Sequence, residues 1–206
     1  MTPNAEMLVE STRNPRFKEV LLQSALNLPD SIGLLHMARW TGQKLPERVT
    51  GVDTVIRLCS AFDESHPVFL LGAAPGIAKK AAETLRIQNP HLRIVGTLAG
   101  SPSAEDAAEI IRNINASNPH LLLVAFGAPR QDLWIRDHLG EMPSVRVAMG
   151  VGGTLDFLTG VQKRAPIPFQ VLGLEWLWRV IREPRRIGMI WRAVMVFPWL
   201  VFTRGA

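Results

Sequence analysis

Three glycine-bearing segments hold the most readable chemistry in this 206-residue chain: Gly72-Ala-Ala-Pro-Gly76, Gly127-Ala-Pro129 and Gly150-Val-Gly-Gly-Thr154. Glycine lets the backbone turn, and approach a ligand, where a side chain would intervene. Amides presented at such turns suit a phosphate, and Arg residues near them in sequence add charge-assisted donors. The three loops therefore read as a cradle for a nucleotide or diphosphate. Several chemistries lack their residues. Gly72–Gly76 has no Gly-Lys-Ser/Thr ending, which argues against nucleoside triphosphate hydrolysis. It also lacks full G-x-G-x-x-G spacing, and no acidic residue ends the next strand to hold a ribose. No Cys/His set has zinc spacing. No Asp-x-Asp pair is present to hold magnesium on a diphosphate, and no Gly-x-Ser-x-Gly elbow occurs.

Loops of this kind need strands behind them. Pro67–Leu71 is an apolar run ending in the first loop, and Ile77–Gln88 then has helical composition, stopped by Asn89-Pro90. Leu92–Val95 reads as a second strand, followed by a loop at 96–103. Ser103 is placed to cap a helix running to about Asn115, with Asp106 in its first turn. Leu121–Phe126 is a buried strand, Gln131–Leu139 a helix and Val145–Met149 another strand. Continuous apolar strands between helices predict a parallel sheet covered on both faces, a Rossmann-like doubly wound α/β core. In such sheets ligands bind beyond the carboxyl ends of the strands, where the three loops lie. Before this core, residues 5–26 and 31–41 read as helical. After it, Glu175–Arg182 and Arg185–Phe197 do, separated by Pro184.

Of 206 residues 47% are hydrophobic and 20% charged, enough apolar content for a real core. The single cysteine, Cys59, excludes an internal disulfide framework. Cys59 and His36, in apolar surroundings, read as packing residues. The net charge of +5 is uneven. Residues 1–174 hold 17 Lys+Arg and 16 Asp+Glu, whereas 175–206 hold six Arg against Glu175 and Glu183. A local excess argues against a nucleic-acid partner. Four of the six Trp (Trp176, Trp178, Trp191, Trp199) share this tail. Arg179, Arg182 and Arg186 are spaced to share one helical face. Arg and Trp on a short amphipathic segment read as an element lying on an anionic membrane, the competing role being a packing helix with a solvated Arg face. Glu6, Glu10, Arg13 and Arg16 rule out an N-terminal secretory signal. The apolar stretch from Ile187 to Phe202 is broken by Arg192 and Pro198 and is too short to span a bilayer. Cytoplasmic synthesis, with peripheral attachment to the inner membrane face, is the expected location. The expected division is a catalytic core over 1–174 and a basic, Trp-rich appendage over 175–206.

Further motifs occur in order along the chain. Leu28-Pro-Asp-Ser-Ile-Gly33, Leu45-Pro-Glu-Arg-Val-Thr-Gly-Val-Asp53, Phe69-Leu-Leu-Gly-Ala-Ala-Pro-Gly76 and Leu123-Val-Ala-Phe-Gly-Ala-Pro-Arg-Gln131 are followed by Gly150-Val-Gly-Gly-Thr-Leu-Asp-Phe157. Arg164-Ala-Pro166, Leu174-Glu-Trp-Leu-Trp-Arg179 and Glu183-Pro-Arg-Arg186 complete the series. With these eight motifs the chain resembles the WecG/TagA/CpsF family of glycosyltransferases over almost its whole length. The resemblance implies transfer of a sugar, N-acetylmannosamine in the best-known members, from a UDP-sugar to a polyprenyl-diphosphate-linked sugar. It implies inversion, no metal, no cofactor, and a place in teichoic acid, common antigen or exopolysaccharide assembly.

An inverting transfer needs one general base for the acceptor hydroxyl. Asp30 matches the family's proposed catalytic aspartate; its competing role is to cap the helix starting near Ser31. Thr2 and Asn4 match a segment lining the same pocket, or form an ordinary chain-start turn. Without a metal, cations and amides must stabilise the leaving diphosphate. Arg48 matches a family arginine near the site, or pairs at the surface with Glu47 or Asp53. Gln131 is placed to hydrogen-bond the nucleotide or donor sugar, or is merely a helix-start residue. Gly72, Gly76, Gly127, Gly152 and Gly153 are expected to cradle UDP. Asp156 binds a ribose or sugar hydroxyl or, preferably, caps the helix near Thr154. The family's C-terminal appendage is thought to bring arginines over the lipid diphosphate, which assigns that contact to Arg179, Arg182, Arg185 and Arg186.

Family members usually carry a further segment, including a strand, before Thr-Pro-Asn; here Thr2 follows Met1, so that strand is expected to be missing. Apolar surface on the tail could also drive self-association into a homo-oligomer. Two rivals stand beside the transferase: a Rossmann-type NAD(P)-dependent oxidoreductase and a non-catalytic membrane adaptor on the same fold.

Overall fold

The computed structural model describes residues 1–163, 165–166, 169, 175–182 and 187–204. The chain forms two compact units, Gly51–Gln162 and a second made of Met1–Thr50 with Lys163–Ala206. The boundary expected at 174 falls outside the described residues.

The first unit is built on β1 (Val68–Gly72), β2 (Ile94–Leu98), β3 (Leu121–Ala125) and β4 (Val147–Gly150). They pair in the order β2-β1-β3-β4, all parallel. Every residue of β1 and β3 is buried, as central strands covered on both faces must be. Alternation splits their side chains between two cores. Val68, Leu70, Leu121 and Leu123 face α4 (Gly51–Ala61), α5 (Ile77–Gln88) and α8 (Thr154–Leu158) through Val55, Cys59, Ala81, Leu85 and Leu155. Phe69, Leu71, Leu122 and Val124 face α6 (Ala104–Ser117) and α7 (Arg130–His138) through Ile110, Ile114 and Trp134. The unit is thus a doubly wound α/β sheet. Ser103 caps α6, its hydroxyl accepting from the Asp106 amide at 3.3 Å.

Helix α4 is a helix that sequence patterning did not give. Gly51 opens it, and Val52, Thr54, Val55 and Ile56 are β-branched, so its intrinsic propensity is weak. Burial of Val55 and Cys59, four residues apart on one face, stabilises it instead. Strand β2 begins two residues later than the apolar run Leu92–Val95 because Leu92 is drawn into the core from a turn.

The second unit contains α1 (Ala5–Ser11), α2 (Pro15–Gln23), α3 (Ile32–Trp40), α9 (Glu175–Arg182), α10 (Ile187–Trp191) and α11 (Phe197–Arg204). Its core joins Ala5, Val9 and Leu34 to Phe197, with Leu35, Ala193, Val196 and Leu200 against them. The expected single helix over 5–26 is two, because Pro15 cannot continue α1 and instead takes the first position of α2, capped by Asn14. Between α10 and α11, Arg192–Val196 is π-helical. Pro198 follows at once: with no N–H to give and a ring that crowds the preceding turn, it is accommodated by widening the helix rather than ending it. Helical structure therefore runs on past Phe197 to Arg204. His36 is a correction to the packing reading: α3 buries its Leu34 face, and two residues on, His36 points to solvent. Among the described residues no helix is long and apolar enough to cross a membrane.

The junction of β1 and β3 sets one stability test. Gly72 has φ +96°, and a Cβ there would stand 2.9 Å from the Ala125 carbonyl carbon and oxygen. At Gly76, φ +82°, a Cβ meets nothing within 4 Å. Gly76→Ala should cost about 1–2 kcal/mol for the left-handed backbone alone. Gly72→Ala should cost about 2–4 kcal/mol, backbone and overpacking together. Thermal unfolding of the two variants should rank them in that order; equal losses of Tm would contradict the close approach.

Candidate active site

In the second unit, three short segments run side by side. The Leu28 amide donates to the Met1 carbonyl at 2.9 Å and the Asp30 amide to the Pro3 carbonyl at 2.8 Å, while the Val49 amide donates to the Pro29 carbonyl at 2.9 Å. Pro3 and Pro29 have no N–H, so these pairings replace a regular ladder. The chain start, Asp30 and Arg48 are brought together in this way.

The helix that follows is capped by Ser31, whose hydroxyl accepts from the Leu34 amide at 3.3 Å. The competing reading of Asp30 as that cap is therefore set aside: Asp30 stands one residue earlier, its backbone fixed by Pro3. Its carboxylate oxygen Oδ1 lies 4.0 Å from Nε of Arg48, with both side chains mostly shielded from solvent. Arg48 does not pair with a sequence neighbour such as Glu47. Its Nη2 hydrogen-bonds Oε2 of Glu175, 127 residues away. Asn4 caps α1, its Oδ1 accepting from the Met7 amide at 3.0 Å, so that atom is committed to the helix. Thr2 is half-buried between Met1 and Pro3.

In the sheet unit the glycine loops follow three adjacent strands, β1, β3 and β4. Gln131, on the first turn of α7, joins two of them. Its Oε1 accepts from the Gly127 amide at 3.1 Å and from the Gly152 amide at 2.9 Å. The side chain is 4% exposed. The Gln131 oxygen and the Gly127 and Gly152 amides thus partner one another, as buried polar groups must be partnered. Gly153 caps α8, which leaves Asp156 in its first turn rather than at the cap. Gly76 precedes α5 without a side-chain cap hydrogen bond.

Sequence reasoning missed two acidic residues. Asp132 is 3% exposed and receives a hydrogen bond from the Gln131 amide; burial pushes its carboxyl up to about 7. Gly150 makes room for it: a Cβ there would lie 2.6 Å from both Asp132 Oδ1 and Gln131 Nε2. An acid in a helix's first turn normally reads as solvated, and only the missing side chain at Gly150 hints otherwise. Glu175 gave no local signal, since its partner is distant in sequence. Among the described residues no three His, Cys, Asp or Glu side chains gather as metal ligands.

On α9, Arg182 lies over the Trp178 ring, 5.1 Å from its centroid, and Trp178 stacks obliquely near Phe169. Trp176, Trp191 and Trp199 are exposed. Arg179 belongs to the same helix. Arg185, Arg186 and the side chain of Arg179 lie outside the described residues, as does Arg164.

Comparison with known proteins shows the family. The family model "Glycosyl transferase WecG/TagA/CpsF family" matches residues 1–206. The chain is similar to the N-acetylglucosaminyldiphosphoundecaprenol N-acetyl-beta-D-mannosaminyltransferase of Bacillus spizizenii. The two are 33% identical over 199 residues, which is 96% of this chain and 75% of the relative. Neither match supports an oxidoreductase or a non-catalytic adaptor.

The buried acid generates a pH test. An unfolded Asp titrates near 4, so between roughly pH 4 and about 7 the folded protein holds a proton that the unfolded chain releases. The contribution of Asp132 to stability is thus full below about pH 4 and is lost as pH rises through about 7. Asp132→Asn keeps an oxygen for Gln131 and removes the titration. In urea unfolding it should flatten the decline across that window and raise the midpoint at pH 8. An unchanged slope would show that Asp132 is not the group responsible.

Proposed function

From the premise that the chain belongs to the WecG/TagA/CpsF family of glycosyl transferases, we propose that it moves N-acetylmannosamine from UDP-N-acetylmannosamine to N-acetylglucosaminyl-diphospho-undecaprenol. The relative named for that acceptor and that β-linked product, similar over 96% of this chain, carries the reading. Formation of a β link from an α-linked UDP donor is an inversion, a single displacement at the anomeric carbon.

Asp30 is the base in this reaction. Its carboxylate takes the proton from the acceptor hydroxyl as that oxygen bonds to the anomeric carbon and the bond to the UDP phosphate oxygen breaks. A base must be held still, and the Asp30 amide is anchored to the Pro3 carbonyl while Ser31 takes over the capping of α3. The electron pair leaves on UDP. Arg48 supplies a fixed positive charge for the leaving diphosphate. In the sheet unit by itself, the first turn of α5 after Gly72–Gly76, which has no side-chain cap hydrogen bond, presents amides suited to a phosphate. Thr2 and Asn4 contact the bound sugars beside Asp30. Gln131 contributes by holding the Gly127 and Gly152 loops. Gly153, at the start of α8, opens that helix.

The reaction runs without a metal and at a membrane. The exposed Trp176, Trp191 and Trp199, with Arg182 stacked on Trp178, suit the interface of an anionic bilayer. Binding of the lipid diphosphate is assigned to Arg179, Arg182, Arg185 and Arg186, at the cytoplasmic face where such lipids are loaded.

The test is transfer from UDP-N-acetylmannosamine to a short-chain N-acetylglucosaminyl lipid diphosphate in the presence of EDTA. Turnover should be unaffected by the chelator, and its loss would overturn the metal-free mechanism. Asp30→Asn should lower kcat by roughly 10²- to 10⁴-fold at unchanged Tm. Full activity in that variant would remove Asp30 as the base.

A further inference from the structure

We propose that Asp132 is a positioning residue for the glycine loops of the sheet unit: its carboxyl fixes which way the Gln131 amide points, and so holds the Gly127 and Gly152 backbones for the UDP donor. The proposal rests on the reading of those loops as part of the UDP cradle.

A glutamine amide has two unlike ends of nearly equal size, an oxygen that accepts and a nitrogen that donates. Packing alone does not choose between its two orientations; the hydrogen-bond partners do. At Gln131 both loop partners are donors, the Gly127 N–H at 3.1 Å and the Gly152 N–H at 2.9 Å from Oε1. Turned over, the amide would set its own N–H groups against both. The nitrogen end therefore needs an acceptor on its other side, and the Asp132 carboxyl is that acceptor. Asp132 Oδ1 and Gln131 Nε2 both lie 2.6 Å from where a Cβ of Gly150 would stand, so the two side chains share the space this glycine leaves. Gln131 is 4% exposed and Asp132 3%, which shuts out bulk water as a substitute partner. Oδ2 of Asp132 is buried and, among the described residues, has no hydrogen-bond partner, so the contact falls on Oδ1.

One acceptor oxygen is thus what Gln131 requires of its neighbour; a negative charge is not required, because a neutral carbonyl accepts as well. The consequence lies in the loops. Gly127 follows β3 and Gly152 follows β4, at the strand ends where doubly wound sheets take their ligands. An amide without its acceptor is free to turn, and both loops then lose their common partner. Such a change weakens donor binding and touches no reacting atom, so it acts on KM and leaves kcat alone.

The experiment compares Asp132→Asn, which keeps an acceptor oxygen, with Asp132→Leu, which is similar in size and has none. In the short-chain lipid assay, Asp132→Asn should hold KM for UDP-N-acetylmannosamine within about twofold of the parent, and Asp132→Leu should raise it about 10-fold, with kcat within about threefold in both. Hydrogen exchange at the Gly127 and Gly152 amides should be parent-like in Asp132→Asn and faster in Asp132→Leu. A second pair of variants answers the question if Asp132→Leu does not fold. Gln131→Glu sets two carboxyls together with no fixed donor between them and should raise KM. Adding Asp132→Asn to it supplies a donor, the same contact with its polarity reversed, and should recover most of the parent KM. Parent-like KM in Asp132→Leu would overturn the proposal, as would equal rises in the Asn and Leu variants or a double variant no better than Gln131→Glu alone. Calorimetric titration of the parent chain with UDP reports separately on the cradle. Absence of binding removes the loops as a donor site, while amide exchange still decides whether Asp132 holds Gln131.

Discussion

One side-chain oxygen organises the loop end of the sheet. Oε1 of Gln131 accepts from the backbone of both Gly127 and Gly152, which follow adjacent strands. Parallel strands carry no hairpin to fix the geometry of their exits; each loop leaves independently and crosses back through a helix. A buried amide that satisfies two loop N–H groups at once supplies the missing tie. It also explains its neighbourhood. The carboxyl of Asp132 lies against the other end of the same amide, and Gly150 lacks a side chain because both occupy its space. The costs are those of any buried polar network, which stabilises only while every member is partnered.

The other unit meets a similar problem with charge. Arg48 stands between two carboxylates, and a mostly shielded cation needs at least one of them. The backbone decides where each group stands. Proline carbonyls at 3 and 29 accept amides from neighbouring segments, so the turn at Asp30 is held by its main chain. Helix capping by Ser31 completes the division of labour.

What could be read in advance followed the range of the interactions. The parallel sheet, α5, the Ser103 cap and the three glycine loops are encoded in continuous apolar runs and local turn chemistry, and all were legible. Helix α4 was not, since its β-branched residues favour a helix only once Val55 and Cys59 find a core. The identity of Asp30 as a residue preceding a cap, rather than the cap, depended on a single position of helix register. Gln131 follows the Gly127-Ala-Pro129 loop, and nothing local in the sequence showed that its side chain is buried. Its burial is caused by Gly150, nineteen residues on. Arg48 offered nearby acids as partners, yet its hydrogen bond goes to an acid 127 residues distant.

The π-helical turn at Arg192–Val196 has a geometric result for the surface of the last helices. Ile187, Trp191, Met195 and Trp199 recur every four residues and are all exposed. On a regular α-helix such a series winds away by about 40° per step, because four residues exceed one 3.6-residue turn. The wider π turn takes up an extra residue and cancels much of that drift. The four side chains are thereby kept in file, like teeth along a straight comb, and all of them can meet a flat plane together where a spiralling row would touch it at one point.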